Sequence, residues 1–163
     1  MPEIKQEKDT RRAFVETLNQ INDSKIIVVT PDVGFNYLND PNNKFKVLNL
    51  GVTENSATVI AATLALSGFK VFFYSMINFV LFRPGEFVRN AIVFHKAPVT
   101  LLGVKGGSAY KFLGTGHNLL HETEDIDFCK NIGLEAHVPT TNEEVRDTII
   151  KCYQSEKPNY VRL

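Results

Sequence analysis

The chain has 163 residues, of which 44% are hydrophobic and 22% charged, with 18 basic and 18 acidic side chains. This length and composition fit one soluble globular domain with a buried core. Because the formal net charge is zero, nothing attracts nucleic acid or an acidic membrane surface, and we expect neither as a partner.

No segment resembles a signal peptide or a membrane span. The first twelve residues, MPEIKQEKDTRR, contain no apolar run. The longest apolar stretch, residues 69–82, is interrupted by polar residues and is too short to cross a bilayer. Cys129 and Cys152 form no metal-binding spacing and are expected to be reduced core residues. We therefore expect a cytoplasmic protein.

The first half of the chain alternates helical and strand patterns. A first helix is predicted behind a possible N-cap at Asp9, from apolar residues at helical spacing: Ala13, Phe14, Leu18 and Ile21. Then follow a buried strand at 25–30, a strand at 45–50, an Ala-rich helix at 56–66 and a strand at 69–74.

The second half continues this alternation. A helix with Pro84 near its first turn, where the missing N–H is tolerated, is predicted to run to about residue 95. Thr141 and Glu144 form a capping box that opens a later helix. In order, the remaining elements are a strand at 98–104, an irregular segment at 103–120, a helix at 122–132, a strand at 135–138, a helix at 141–153 and a strand at 160–163.

Apolar strands separated by helices predict a mostly parallel sheet that is covered on both faces. We therefore expect a single α/β domain over residues 1–163, a three-layer α/β/α sandwich. Ligands of such folds bind at the carboxyl ends of the strands, where long loops lie, and residues 103–120 form the longest irregular segment. The sequence has no nucleotide-binding signature, and its four histidines match no zinc spacing, so no metal site is predicted.

Glu54 is the acidic residue that stands out on physical grounds. It follows a predicted buried strand within NLGVTEN (residues 49–55) and precedes the Ala-rich helix. An acid in the first turn of a helix is most often a partner of the helix dipole. Alternatively, the carboxyl is held at the edge of the sheet to exchange a proton with a ligand. The pattern alone leaves both interpretations open.

Several segments occur in the order and spacing of a known family. They are NLGVTEN with the helix after it, YSMI (74–77) with the aromatic run to Phe82 and Arg89-Asn90, GTGH (114–117) with the Glu124-Asp-Ile that follows, and the terminal KPNYVRL (157–163). From Arg11 to its end, the chain resembles the pyrimidine-binding domain of transketolases. More distantly, it is similar to that domain in deoxyxylulose-phosphate synthases and in beta subunits of 2-oxo-acid dehydrogenases.

The resemblance implies the thiamine-diphosphate-binding fold and a catalytic role for Glu54. In the family, this glutamate hydrogen-bonds a ring nitrogen of the cofactor's aminopyrimidine and helps to form the imino tautomer, which removes the thiazolium C2 proton. Asp32 falls where the family has an aspartate near the cofactor, and it is therefore a second candidate for cofactor binding.

The resemblance also implies an apolar wall against the pyrimidine ring, for which transketolases use two phenylalanines. Alignment without gaps places Ile77 and Val80 at these positions, whereas a shift of two residues places Phe79 and Phe82 there. Ile77, Phe79 and Phe82 are therefore all candidate cofactor-binding residues, and the choice between the two alignments stays open.

Three residues are candidate substrate ligands by resemblance. Arg11 falls where the family binds a substrate phosphate, and Asn36 falls where transketolases have a phosphate-binding serine. His117 matches a loop histidine that contacts substrate hydroxyls, and we count it as both catalytic and substrate-binding. The family's aspartate four residues earlier is replaced by Leu113, which departs from ordinary sugar-phosphate selectivity.

Nothing in this sequence resembles the family's diphosphate-binding domain, which holds Mg²⁺ and the cofactor diphosphate. Since the family binds its cofactor between subunits, the resemblance implies a separate diphosphate-binding subunit that supplies Mg²⁺. It also implies a homodimer contact that completes an α₂β₂ assembly. The expected activity is transfer of a two-carbon ketol unit, or a related carboligation, on a sugar or oxo-acid substrate.

Two alternatives remain at this level. One is the pyrimidine-binding subunit of a sulfopyruvate-type 2-oxo-acid decarboxylase. Those subunits carry Gly-x-Gly-Asn after the third strand, whereas this chain has Arg83-Pro-Gly-Glu86, which favours the transketolase interpretation. The other is a non-catalytic structural subunit that has kept the fold.

Overall fold

Six parallel strands organise the chain in the computed structural model, which describes residues 9–163. The expected domain begins at residue 1, and its first eight residues lie outside the described range. The strands lie in the order β2-β1-β3-β4-β6-β5. Their bounds are Ile26–Thr30 (β1), Lys46–Asn49 (β2), Lys70–Met76 (β3), Val99–Val104 (β4), Glu135–His137 (β5) and Asn159–Arg162 (β6). The predicted α/β class and parallel sheet are confirmed.

Helices cover both faces of this sheet, as a sheet buried on both sides requires. They comprise Thr10–Ile21 (α1), Phe35–Leu38 (α2), Glu54–Leu66 (α3), Gly85–Phe87 (α4), Glu124–Ile132 (α5) and Asn142–Gln154 (α6). On β3, Phe73 faces the core layer that contains α3, while Phe72 faces the layer that contains α1 and α6. This alternation makes the central strands apolar along their whole length.

The predicted caps form at the starts of α1 and α6. Asp9 accepts a hydrogen bond from Arg12 N at 3.1 Å and begins α1. Thr141 Oγ1 accepts one from Glu144 N at 3.1 Å and begins α6. The Glu144 carboxylate accepts from the backbone N–H of Thr140 at 2.5 Å, one residue before the N-cap. Both side chains of the predicted capping box therefore fix the start of α6.

The prediction that a helix begins near Pro84 is wrong, because the helical segment starts earlier. The chain enters π-helical geometry already at Asn78–Phe82, and a second π-helical run follows at Val88–Phe94. Arg83 N donates to Asn78 O at 2.8 Å, the five-residue step of a π-helix. Pro84 then interrupts the helical segment in its middle, because it has no N–H to donate. The proline alone did not indicate that it lies between two helical runs.

Two short helices were not predicted from the sequence. The segment expected to be irregular, residues 103–120, contains a 3₁₀ helix at Ser108–Gly116 that is kinked at Gly114, whose φ is 61°. The four-residue α2 begins after Gly34, whose φ is 85°. The first is interrupted at Gly114 and the second has only four residues, so neither displays a regular apolar period. Within residues 9–163, no helix is long and apolar enough to cross a bilayer.

A buried ion pair joins α5 to the last strand. The Asp125 carboxylate is fully buried and accepts hydrogen bonds from Tyr160 Oη at 2.6 Å and from Arg162 Nε at 2.9 Å, with a second, shorter contact from Arg162 Nη2. Arg162 Nη2 also donates to the backbone oxygen of Glu122 at 2.8 Å. Burial and the neighbouring Asp125 raise the pKa of Tyr160 well above its ordinary value. The pair fixes the end of the loop that precedes α5.

Removing Arg162 should therefore be strongly destabilising. We expect Arg162→Ala to lower the free energy of unfolding by about 3 kcal/mol, because it leaves a buried carboxylate without its cation. Urea denaturation followed by circular dichroism measures this change. Lys151→Ala is the control: it removes an exposed pair with Glu135 at 3.0 Å and should change stability by less than about 1 kcal/mol. Equal effects of the two substitutions would contradict a structural role for the buried pair.

Candidate active site

A cavity of ≈ 350 Å³ opens at the carboxyl ends of the central strands. It lies at the edge where β1 and β3 end, because parallel strands bring their last residues together. Its lining comes from the starts of α1 and α2, the end of β3, the first π-helical run and the segment 104–117: Arg11, Asp32, Val33, Gly34, Phe35, Asn36, Tyr37, Tyr74, Ser75, Met76, Phe79, Val104, Tyr110 and His117.

The predicted substrate ligands meet in this cavity. Arg11, Asn36 and His117 come from three separate segments, and all three line its wall. The Arg11 guanidinium lies 5.0 Å from the ring centroid of Tyr37 and 3.9 Å from the Asp9 carboxylate. One arginine, one amide and one imidazole therefore face a common space, a set of groups that suits a polar, anionic ligand.

Asp32 also lines the cavity, just after the end of β1. Its backbone N–H donates to Asn49 Oδ1 at 3.1 Å, and Asn49 Nδ2 donates back to Asp32 Oδ1 at 3.2 Å. The residue adopts a φ of 62°, in the left-handed region that Asp and Asn tolerate better than other residues. The reciprocal bonds with Asn49 hold this turn and set the direction of the carboxylate.

Glu54 is the first residue of α3, and its side chain is almost completely buried, with the residue 5% exposed. The turn before it is held by Thr53, whose Oγ1 donates to Leu50 O at 2.8 Å. At this position the carboxylate lies at the positive end of the helix dipole. It is not part of the cavity wall but is connected to it through two further side chains.

Arg83 and Phe79 make that connection. Arg83 Nη1 donates to Glu54 Oε1 at 2.5 Å, and the guanidinium carbon lies 4.2 Å from the ring centroid of Phe79. Phe79 in turn contacts the His117 ring in an edge-to-face arrangement, with centroids 5.0 Å apart. Glu54, Arg83, Phe79 and His117 thus form a continuous row from the start of α3 to the cavity.

The other two candidates for the apolar wall lie elsewhere. Ile77 is buried in the core next to Gly103, where a Cβ on that glycine would lie 3.0 Å from Ile77 Cγ1. Phe82 packs edge-to-face on Phe128 of α5, with centroids 5.6 Å apart. As contacts of a bound ring both stay predictions, but only Phe79 of the three is brought to the cavity wall.

Three residues of the site were not singled out as candidates by sequence reasoning, although Tyr74 and Ser75 belong to the YSMI motif. Arg83 was noted only as part of a motif, although an arginine that directly follows an aromatic run is a signal for a cation stacked on a ring. Tyr74 lines the cavity, and burial raises the pKa of its hydroxyl. Ser75 lies beside it, and its fully buried Oγ has no hydrogen-bond partner among the described residues. A serine at the end of an apolar strand carries no such signal.

Both cysteines are buried free thiols in the core, as the sequence predicted. Burial raises the pKa of Cys129 and of Cys152 to about 12, so neither thiol is ionised near neutral pH. Among the described residues, no cluster of three or more His, Cys, Asp or Glu side chains is arranged to hold a metal ion.

Comparison with known proteins gives a family match over almost the whole chain. The family model described as "Transketolase, pyrimidine binding domain" matches residues 6–163. One subunit of the apulose-4-phosphate transketolase of Phocaeicola vulgatus is 31% identical over 159 residues, which are 94% of this chain and 50% of that protein. The protein of the same description from Actinobacillus succinogenes is 28% identical over 119 residues, 72% of this chain and 37% of that protein.

Solved structures agree with the fold. An inactive beta4 tetramer of a split-gene transketolase superposes with a TM-score of 0.80 at 25% identity, over 94% of this chain and 50% of that chain. The transketolase of Campylobacter jejuni superposes with a TM-score of 0.75 at 15% identity, over 96% of this chain and 26% of that one. The chain spans half the length, or less, of the relatives it matches.

The orphaned hydroxyl of Ser75 generates a prediction. Ser75→Ala should raise the free energy of unfolding of this chain by about 1 kcal/mol, because a buried polar group without a partner is destabilising. Thr17→Val is the matched control: Thr17 is also buried, but its Oγ1 donates to Ala13 O at 2.6 Å. This control should lower stability by about 1 kcal/mol. Thermal unfolding measures both changes, and a loss of stability in Ser75→Ala would show that its hydroxyl is satisfied in the free chain.

Proposed function

This chain belongs to the transketolase pyrimidine-binding domain family, and from that premise we propose that it is the pyrimidine-binding subunit of a thiamine-diphosphate-dependent, transketolase-like enzyme. The enzyme would transfer a two-carbon ketol unit or perform a related carboligation. One observation carries the proposal further than family membership: a buried carboxylate, Glu54, lies at the start of a helix and is linked through Arg83 to Phe79, an aromatic ring on the cavity wall.

The described residues fit an aminopyrimidine ring. Such a ring needs a flat apolar contact and a carboxyl beside one of its nitrogens, which Phe79 and Glu54 would supply. The exocyclic amine and the other ring nitrogen need polar partners, and Ser75, whose Oγ has no partner among the described residues, is one of the residues that line the cavity. When bound, thiamine diphosphate supplies an acidic thiazolium C2–H from which a carbon nucleophile is generated.

Glu54 is the proposed proton-transfer group. Its low exposure excludes water from the carboxylate, so a hydrogen bond to a ring nitrogen is stronger there than on the surface. Phe79 would hold the ring flat against the π-helical run, and Asp32 would approach it from the end of β1. Because Phe79 contacts His117 directly, the ring and the substrate site would be adjacent.

We propose a phosphorylated sugar as substrate. Arg11 is suited to its phosphate, since a guanidinium binds phosphate oxygens in a bidentate way, and Asn36 lies on the same wall. His117 would then contact the substrate hydroxyls. The two named relatives act, by their descriptions, on apulose 4-phosphate, which is consistent with such a phosphate. Leu113 stands where ordinary transketolases read a hydroxyl with aspartate, so the sugar recognised would differ from theirs.

The proposed partner is a separate diphosphate-binding subunit that also holds Mg²⁺. Support comes from the relatives, of which two are described as one subunit of a transketolase and a third as the product of a split gene. We further propose a homodimer contact between copies of this chain, so that the full assembly is α₂β₂. The buried free thiols of Cys129 and Cys152 support a reducing, cytoplasmic location.

Glu54→Gln tests the catalytic proposal in the complex reconstituted with the diphosphate-binding subunit. Glutamine fills the same volume but cannot transfer a proton, so turnover should fall by roughly 10²–10⁴. Hydrogen–deuterium exchange at cofactor C2, followed by quenched-flow NMR, should slow in parallel. Glu16→Gln is the control, since it removes one carboxylate from α1 and should leave both rates unchanged. Equal exchange rates in wild type and Glu54→Gln would remove Glu54 from the mechanism.

Light scattering tests the assembly. We expect a homodimer for the chain alone and an α₂β₂ complex after the partner subunit is added, because half a cofactor site leaves apolar surface exposed. Phe112, which is 82% exposed on the segment that leads to His117, should contact the partner, and Phe112→Asp should weaken the complex. Leu66→Asp, at the end of α3 opposite Glu54, is the control. A monomer that ignores the partner would contradict the split-enzyme proposal.

A further inference from the structure

Arg83 lies at the break between the two π-helical runs, and its backbone is fixed there. Its N–H donates to Asn78 O at 2.8 Å, and Pro84 follows directly. Its side chain, in contrast, is 47% exposed. A guanidinium on a fixed backbone with an exposed side chain can turn between the protein and the solvent without any change in the helices.

The guanidinium makes two contacts of different kinds. Its Nη1 donates to Glu54 Oε1 at 2.5 Å, and the group lies over Phe79, with 4.2 Å between the guanidinium carbon and the ring centroid. A guanidinium can make both contacts at once, because it is planar enough to stack on an aromatic face and carries N–H groups that bond a carboxylate. An aminopyrimidine bound by Phe79 and Glu54 would need the same two contacts.

We propose that the Arg83 guanidinium occupies the place of the cofactor ring in the free chain, and that the ring displaces the guanidinium on binding. Arg83 is thus a positioning residue that acts through Glu54. This inference rests on the proposed function, because it assumes that an aminopyrimidine binds at Glu54. Two planar groups cannot share the same part of the Phe79 face and the same carboxylate oxygen, so the two occupants exclude each other.

The different burial of Glu54 and Arg83 makes it feasible for the ring to replace the arginine. Glu54 is buried, and a buried carboxylate without a hydrogen-bond donor is destabilising, so the free chain needs a donor there. Arg83 is half exposed, and its charge returns to water at low cost when it leaves. The pair therefore stabilises the free chain while it remains replaceable.

Displacement also prepares Glu54 for its proposed task. While Arg83 is bound, Oε1 already accepts a hydrogen bond from a group that does not release its proton in proteins. A carboxyl that exchanges a proton with a ring nitrogen must give up this partner. The ring would thus release Glu54 from its counter-ion at the moment at which proton transfer becomes possible.

The test uses the full chain and a neutral probe, 4-amino-5-hydroxymethyl-2-methylpyrimidine, which lacks both the thiazolium charge and the diphosphate. NMR titration gives its dissociation constant for each variant. Arg83→Gln should bind the probe about fivefold more tightly than wild type, since no ion pair of about 1 kcal/mol must first be broken. Glu54→Gln should bind it more weakly. Arg146→Gln, which removes a charge from α6, should bind it like wild type.

A second measurement on the wild type guards against poor folding of Arg83→Gln. As the probe saturates the chain, the Arg83 Nε–H resonance should move towards that of solvent-exposed arginines. Unchanged or weaker binding by Arg83→Gln, or an Arg83 resonance that does not move, would overturn the displacement. If Glu54→Gln still abolished binding in that case, the proposed cofactor site would stand. If the probe at millimolar concentration bound neither the wild type nor any variant, both the displacement of Arg83 and the cofactor site at Glu54 would be overturned.

Discussion

The parallel direction of all six strands is the constraint on which the rest of the structure depends. Because every strand ends at the same edge, short polar segments that are distant in the sequence meet there without any special loop. Asp32 after β1 and Ser75 near the end of β3 line one cavity for this reason, and Arg11 at the start of α1 lies on the same wall. The same topology buries the strands on both faces, so the residues of the site are attached to a packed apolar sheet.

Two arginine–carboxylate pairs in this chain have different physical characters. Asp125 is fully buried and the Arg162 side chain is only 10% exposed, and Tyr160 and a backbone carbonyl complete their hydrogen bonds. This pair holds α5 against the sheet, and no ligand can reach the carboxylate to replace the arginine. Glu54 and Arg83 differ because only the carboxylate is buried, while the arginine is half exposed. A pair of this kind stabilises the free chain and leaves its acid available to a ligand that can replace the cation.

The π-helical stretch after β3 connects the fold to the site. Its wider turns direct Ile77 into the core, Phe79 to the cavity and Phe82 to α5. The sequence left two alignments of the apolar wall open because the family motif matches either without gaps or after a shift of two residues, and a local pattern does not choose between them. Pro84 ends the first run because it cannot donate a hydrogen bond, and the side chain of Arg83 immediately before it bonds Glu54.

The sequence by itself determined the α/β class, the six strands and the longer helices in chain order, and the caps at Asp9 and Thr141, because these depend on local patterns such as apolar runs and capping side chains. It named the candidates that line the cavity only through the resemblance of short motifs to a known family. It could not determine the start of the helical segment around Pro84, the helix within 108–116 or the contacts of Arg83. Those depend on distances between residues far apart in the chain, such as the 29 positions that separate Glu54 from Arg83. Only the folded sheet brings such groups together, since it is packing, and not local propensity, that decides which cation meets a buried acid.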